Sequence, residues 1–310
     1  MLPSRSLADA VQDALRLSRA MTYKAAAVRL RHGGAKCVVA APSDAPLRGR
    51  RRRDTLLDVA DAVEELGGRF VTGKDAGTTA RDFEVMAERT PHLVGRPRTR
   101  GGSGDPSGST AFGVMAAIEA SCERVLGDAS LRDRRVAVLG LGKVGAHVAR
   151  RATPAGAQLV VADIDVAKRV LAERLGAGWT TPAELLASDV DVLAPCALGG
   201  VLDWPTAKRL RCRVIAGSAN NQLAEPRVAD LLREREILWA PDFIVNAGGL
   251  ISVASELDGY AAREARQRTS AIADALRTVF AEADQAATNT LVAAEEYARR
   301  QAGVLRAAVP

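Results

Sequence analysis

Arg135-Val136-Ala137-Val138-Leu139-Gly140-Leu141-Gly142-Lys143-Val144-Gly145 is the stretch whose reading decides the fold. Val136 to Leu139 is an unbroken apolar run, as expected for a strand buried on both faces of a parallel sheet. The glycines open into a helix carrying Ala146, Val148 and Ala149, and a second strand, Gln158 to Ala162, ends on Asp163. A strand, Gly-x-Gly-x-x-Gly, a helix, a strand and an acidic residue about 20 positions on make a dinucleotide-binding βαβ unit. Gly140 supplies the tight turn. Gly142 lets the backbone N–H groups around Lys143 and Val144 reach a pyrophosphate, and Gly145 lets helix and strand pack closely. Asp163 suits the adenosine ribose hydroxyls and repels a 2′-phosphate, which favours NAD over NADP. Arg169, on the following helix, pulls the other way.

Downstream the alternation continues. Strands at 191–194, 214–216 and 237–240 each meet a turn: Pro195-Cys196-Ala197-Leu198-Gly199-Gly200, then Gly217-Ser218-Ala219-Asn220-Asn221-Gln222, then Pro241-Asp242 leading to Asn246-Ala247-Gly248-Gly249-Leu250. Ligands of doubly wound sheets lie at the carboxyl ends of the strands, so these turns are expected to line the cofactor cleft. Each asparagine both donates and accepts, which suits a carboxamide or a polar substrate group; turn geometry is the competing reading. From Glu264 to Ala302 the pattern is helical and charged, and is expected to return and brace the first domain.

Upstream, residues 95–109 read as a flexible Gly/Ser/Pro-rich loop, followed by a helix from Thr110 to Val125. The loop is the expected domain junction. The fold class is therefore α/β in two domains with a cleft between them. A smaller substrate domain spans 1–109, a Rossmann-type doubly wound NAD-binding domain spans 110–262, and C-terminal helices span 263–310. In the first part, Ser6 caps a helix whose Leu7, Val11, Ala14, Leu15 and Met21 share one face. Gly33-Gly34 precedes a short buried strand, Lys36 to Ala40. A helix from Asp54 as N-cap runs to Gly67-Gly68, and a strand over 69–72 leads into a Gly/Thr-rich loop carrying Asp75.

Lysine is rare among the 43 basic residues; it occurs at 24, 36, 74, 143, 168 and 208. Arginine stays protonated in proteins, whereas a desolvated lysine becomes a base near neutral pH. Lys24 and Lys36, beside a glycine turn, are thus candidate acid/base or anion-binding groups, against the plainer reading of solvated side chains. For Asp75 the plainer reading is a turn or cap aspartate.

The 310 residues suit two domains, and 47% hydrophobic with 26% charged residues is globular composition. The net charge of +6 has a local source in Arg48-Gly49-Arg50-Arg51-Arg52-Arg53, read as an exposed loop insertion. No aromatic residues interleave with it, so no nucleic-acid partner is expected. Cys37, Cys122, Cys196 and Cys212 are scattered, which argues for reduced thiols in the cytoplasm and against a metal site. No apolar run reaches the roughly 18–20 residues that span a bilayer, so no membrane partner is expected.

Six motifs carry a resemblance: Met21-Thr22-Tyr23-Lys24, Gly33-Gly34-Ala35-Lys36, Asp75-Ala76-Gly77-Thr78-Thr79, Ala194-Pro195-Cys196-Ala197-Leu198-Gly199, Gly217-Ser218-Ala219-Asn220-Asn221-Gln222 and Asn246-Ala247-Gly248-Gly249-Leu250-Ile251. In order and spacing they resemble the Glu/Leu/Phe/Val dehydrogenases, the leucine and phenylalanine branch above all, over nearly the whole chain. The resemblance implies NAD-dependent, reversible oxidative deamination of an L-amino acid to a 2-oxo acid and ammonia by a homo-oligomer, a dimer or larger. It implies that Lys24 binds the substrate carboxylate, that Lys36 is the base that activates water, and that Asp75 handles the amino-group proton. Gly34, Gly73, Asn221, Leu250 and Val253 fall at substrate positions. Thr110, Ile164, Cys196, Ala197, Leu198, Asn220 and Asn246 fall at cofactor positions. Gly73 and Leu250 resemble the side-chain pocket of phenylalanine dehydrogenases, so a bulky, aromatic substrate is expected.

The chain also departs from that pattern. Ala35 stands where the family has a third glycine, and the family's N-terminal segment, which walls the substrate pocket, is missing ahead of the first helix. Two alternatives follow: a non-catalytic NAD-binding homologue or assembly subunit, and a dehydrogenase for an unusual amino acid in a biosynthetic pathway.

Overall fold

The computed structural model describes residues 7–40, 47–75, 77–259 and 261–307. The chain runs α1 (Leu7–Ala27), α2 (Gly49–Glu65), β1 (Thr72–Gly73), α3 (Ala80–Met86) and β2 (Leu93–Val94). Then follow α4 (Ser107–Leu126), β3 (Arg135–Leu139), α5 (Lys143–Ala152), β4 (Gln158–Ala162), α6 (Arg169–Arg174), β5 (Gly178–Trp179), α7 (Pro182–Ala187), β6 (Val192–Pro195), α8 (Trp204–Arg209) and β7 (Val214–Ile215). The last elements are α9 (Val228–Glu234), β8 (Leu238–Trp239), α10 (Asp242–Val245), α11 (Gly248–Ala254), α12 (Ala262–Gln285) and α13 (Thr290–Ala307).

The larger sheet has the order β5-β4-β3-β6-β7-β8, with every neighbouring pair parallel. That is the doubly wound order, with its switch point between β3 and β6. Val136 pairs with Leu159 on one side and with Val192 on the other. Side chains alternate across the sheet. Val136, Val138, Val192, Ala194 and Val214 join one core with α4, α12 and α13, while Ala137, Leu139, Leu193 and Ile215 join another with α7, α8 and α9. The smaller sheet pairs β1 with β2 in parallel, and its own core is Leu56, Ala60, Met86 and Leu93. Its unit is built from α2, β1, α3 and β2.

The C-terminal helices pack on the main core and on the end of α1; none of their residues joins the core of the smaller unit. Ala294, Tyr297 and Ala298 of α13 share the main core with Ala25, Ala27 and Val28, and Arg299 donates to the Tyr23 hydroxyl at 3.0 Å. The end of α1, which carries Lys24, is therefore anchored in the main core rather than in the smaller one.

Several expectations are corrected. Leu7, Val11 and Leu15 are not the buried face of α1; they are 75%, 51% and 67% exposed, and burial falls on Ala10 and Ala25 to Ala27. Residues 36–40 are neither a strand nor buried, because no described strand lies beside them to complete a ladder. The arginine run is not a loop insertion: α2 starts at Gly49, so Asp54 lies inside the helix and not at its cap. Arginine is a good helix former, and the run is held by pairs from Arg50 to Asp54 (3.7 Å), Arg52 to Asp82 (2.7 Å) and Arg53 to Glu88 (2.5 Å). The expected strand over 69–72 shifts to Thr72–Gly73, and α4 begins three residues before Thr110, at Ser107. The loop after β2 is tied down by the Glu256 carboxylate. That group accepts from the N–H groups of Gly95 (3.0 Å), Arg96 (3.2 Å) and Ser103 (2.7 Å) and from the Ser103 hydroxyl (2.5 Å). Ser6 lies outside the described residues. Among the described residues no helix is long and apolar enough to cross a membrane, and no cluster of metal-ligating side chains occurs.

Candidate active site

Lys24 sits in the last turn of α1, and the chain then doubles back through Gly33-Gly34 to Lys36. Gly34 lies against α1 so closely that a Cβ would overlap the backbone N of Thr22. It sets the path of the segment, and its bare side faces the helix. Lys24 Nζ donates to Asn220 Oδ1 at 3.3 Å. Burial lowers its pKa to about 8; the Lys36 charge adds to this and the Asp242 carboxylate opposes it. Asp242, at the carboxyl end of β8, is 9% exposed and accepts from the Gln222 N–H at 2.7 Å. Burial pushes its carboxyl up, against the pull of Gln222 and Lys24.

Lys36 Nζ pairs with the Asp75 carboxylate. The Lys36 side chain is 24% exposed and that of Asp75 is 54% exposed. Burial lowers the Lys36 pKa against a pull from neighbouring Cys37; the paired Asp75 carboxylate also favours the charged form. The two line a cavity of about 300 Å³ with Leu17 of α1, Val38, and Phe83 and Met86 of α3. Gly73 also lines it. A Cβ there would stand 3.3 Å from Val94 Cγ2, so the bare position is close-packed on its far side. All the lining residues precede α4: Leu250 and Val253, both half-buried on α11, are not among them. The expected pairing of Gly73 with Leu250 in one lining is not observed.

The two asparagines after β7 do different things. Asn220 Oδ1 accepts from Lys24 and from Asn246 Nδ2 at 2.8 Å. Asn221 is exposed with φ of 51°, and its carbonyl accepts from the Gly200 N–H at 2.7 Å. Asn221 is thus a turn residue and its side chain does not join the cluster. Asn246 also donates to Ser218 O at 3.2 Å, and its buried Oδ1 has no partner.

The glycines after β3 sit in a tight turn. Gly140 has φ of +94°, and a Cβ there would stand 2.7 Å from that of Ala197. A Cβ on Gly145 would overlap the Gly140 carbonyl oxygen. Gly142 faces open space as the N-cap of α5, where no side chain caps the helix. Those N–H groups and the helix dipole suit an anion. Lys143 pairs with Asp105 at 2.9 Å, and Val144 is half-buried behind it. Asp163 accepts from the N–H groups of Leu141 (2.6 Å) and Asp165 (2.8 Å). Ile164 and Leu198, 89% and 80% exposed, follow the strands that flank β3. Burial raises the Cys196 pKa, and the Thr110 hydroxyl donates to Pro106 O at 3.1 Å. A nicotinamide dinucleotide fits this set. The open helix end suits its pyrophosphate, the exposed apolar pair its adenosine, and the orphaned Asn246 oxygen a carboxamide N–H donor.

The sequence reading placed Asp242 in a turn expected to line the cleft but gave it no role of its own, and it gave none to Asp105, which had no signal beyond its place in the loop.

A glycine-rich turn on a doubly wound sheet and a lysine–aspartate pair carried by a second unit are the pattern of a two-domain nicotinamide-dependent dehydrogenase. The comparisons are specific. A profile for glutamate/leucine/phenylalanine/valine dehydrogenase matches residues 101–173 and 165–308, and one for the dimerisation domain of the same enzymes matches 4–92. The leucine dehydrogenase of Geobacillus stearothermophilus is 39% identical over 307 residues, covering 97% of this chain and 81% of its own length. The phenylalanine dehydrogenase of Caldalkalibacillus thermarum is 38% identical, covering 96% and 81%. The crystal structure of L-tryptophan dehydrogenase from Nostoc punctiforme superposes with a TM-score of 0.88 at 35% identity, covering 99% of this chain and 87% of that one. The chain belongs to the glutamate/leucine/phenylalanine/valine dehydrogenase family and is an amino acid dehydrogenase.

Proposed function

We propose that the protein is an NAD-dependent L-amino acid dehydrogenase that interconverts a bulky, aromatic L-amino acid with its 2-oxo acid and ammonia. The Lys36–Asp75 pair, set on an apolar cavity, carries this reading. The balanced reaction consumes amino acid, water and NAD⁺ and yields 2-oxo acid, ammonium, NADH and a proton. The bound nicotinamide supplies the hydride acceptor. Lys24, mostly protonated at pH 7 with a pKa of about 8, holds the substrate carboxylate. Asp75 takes the proton from the substrate amino group. Lys36, its pKa lowered by burial, is the base that draws a proton from the water attacking the substrate Cα.

Supporting NAD over NADP, Asp163 presents its charge at the end of β4, and Arg169 is occupied by Glu173 at 3.3 Å. Supporting an aromatic substrate, Gly73, Phe83 and Met86 line one cavity. The match to a dimerisation domain supports a homo-oligomer, and four free cysteines support a reducing, cytoplasmic setting. The test is NADH formation from a panel of L-amino acids. Phenylalanine or tryptophan is expected to give the highest kcat/KM, and NAD to be preferred over NADP. A clear preference for leucine or valine overturns the side-chain reading, and no turnover of any amino acid overturns the whole.

A further inference from the structure

Within the arginine run, Arg52 is the one turned inward. Its side chain is 27% exposed and its partner Asp82 is 9% exposed. Arg52 Nε donates to Asp82 Oδ1 at 2.7 Å and Nη2 to Asp82 Oδ2 at 2.7 Å. The same Nη2 donates to the carbonyl of Gly77 at 2.8 Å. Gly77 has φ of +78°, a conformation that other residues rarely hold, and it lies two residues after Asp75. Asp82 accepts in turn from the Thr79 N–H (2.6 Å) and hydroxyl (2.8 Å) in the capping box that starts α3. On the other side, Asp75 is tied into the same turn by Thr78, whose hydroxyl donates to the Asp75 carbonyl at 2.7 Å.

Asp75 is more than half exposed, so packing does not fix its side chain. The chain that carries it runs on through Gly77 to Thr79, and the Arg52 guanidinium holds that stretch from behind. We propose that Arg52 is a positioning residue for the Lys36–Asp75 pair: it clamps the Gly77 carbonyl and the Asp82 carboxylate together, and so presents the Asp75 carboxylate to Lys36. Three directional bonds from one planar fork are what arginine supplies and lysine, a point charge on a flexible stem, does not. The Asp82 carboxyl is held down to about 2, chiefly by Arg52, so the clamp is charged throughout the working pH range. The inference rests on the catalytic reading of Lys36 and Asp75.

Removing Arg52 alone would strand a buried carboxylate, so the informative variant is the double Arg52→Met/Asp82→Asn. It leaves no unpaired charge and keeps an acceptor for Thr79. Thermal melting and NADH binding by fluorescence establish that it folds and binds cofactor as the wild type does. In the folded variant kcat is expected to fall by about 10- to 100-fold, with KM for the amino acid changed by less than about threefold, since a displacement near 1 Å costs on the order of 10² in rate. The acid limb of kcat/KM is expected to move to lower pH, because Lys36 loses a partner that favours its charged form. Arg52→Lys is expected to fall between the two. A folded variant with kcat within about twofold of wild type and an unmoved limb overturns the inference. Amide exchange over 77–79 separates this from the function itself. If the wild type oxidises no amino acid, the catalytic reading fails; faster exchange in the variant still establishes the clamp, and unchanged exchange overturns it.

Discussion

The β3–β8 sheet and the smaller β1–β2 unit hold their functional groups by different means. At the carboxyl end of β3 the groups offered to a ligand are backbone N–H groups, and they are fixed by a strand with Val136, Ala137 and Val138 at 0% exposure. In the smaller unit the strands are two residues each and the buried core is Leu56, Ala60, Met86 and Leu93. There the groups proposed as catalytic are side chains, Lys36 and Asp75, and hydrogen bonds and ion pairs hold the segment around Asp75: Thr78 to Asp75, and Arg52 to Gly77 and Asp82. Packing gives one geometry that is insensitive to pH. Polar anchoring gives a geometry that can be loosened one bond at a time, by a substitution or a proton.

The largest expected effect falls on the polar side. Lys36→Ala is expected to lower kcat by about 10²–10⁴ while NADH titrations show unchanged cofactor affinity, since base and cradle sit on separate units. A parallel loss of NADH affinity would break the comparison. On the packed side, Ile215→Ala, at 0% exposure in β7, is expected to cost about 2–5 kcal/mol in urea unfolding. Next comes acid. The Asp82 carboxyl is held down to about 2 in the fold against an ordinary value near 4, so its contribution is complete above about pH 4 and is lost as pH falls toward 2. The loss is about 2 kcal/mol. Unfolding midpoints from pH 5 to 2 are expected to fall more steeply in the wild type than in Arg52→Met/Asp82→Asn. The smallest effect is at the surface: Arg53→Ala breaks a pair whose side chains are 47% and 48% exposed, and thermal melting is expected to show little change.

The same contrast explains what the sequence made legible. Strands 135–139 and 158–162 fall where the apolar runs place them; 135–139 is buried from Val136 on, and a strand buried on both faces writes its burial into its own residues. Gly140 and Gly145 answer to tight contacts, with Ala197 and with the Gly140 carbonyl, whereas Gly142 opens α5 with free space beside it. The arginine run read as a loop because its partners are far away in sequence: Asp82 is 30 residues from Arg52 and Glu88 is 35 from Arg53. Leu7, Val11 and Leu15 show the period of a buried face, yet period alone does not say whether another element covers it. Lys24, Lys36 and Asp75 stood out by rarity and by glycine-rich surroundings. Asn220 and Asn221 were indistinguishable as letters, and only the left-handed backbone of Asn221 separates a cluster member from a turn residue.

Glu256 bears on all of this from outside the site. Its four hydrogen bonds converge on the chain just as it leaves β2, with the first at Gly95. The unit that carries Lys36 and Asp75 is moored there to the three-ten turn Ser255–Asp258, which continues α11. All four bonds end on one carboxylate, so Glu256→Gln would weaken the hold on Gly95, Arg96 and Ser103 together and would leave the core under β3 untouched.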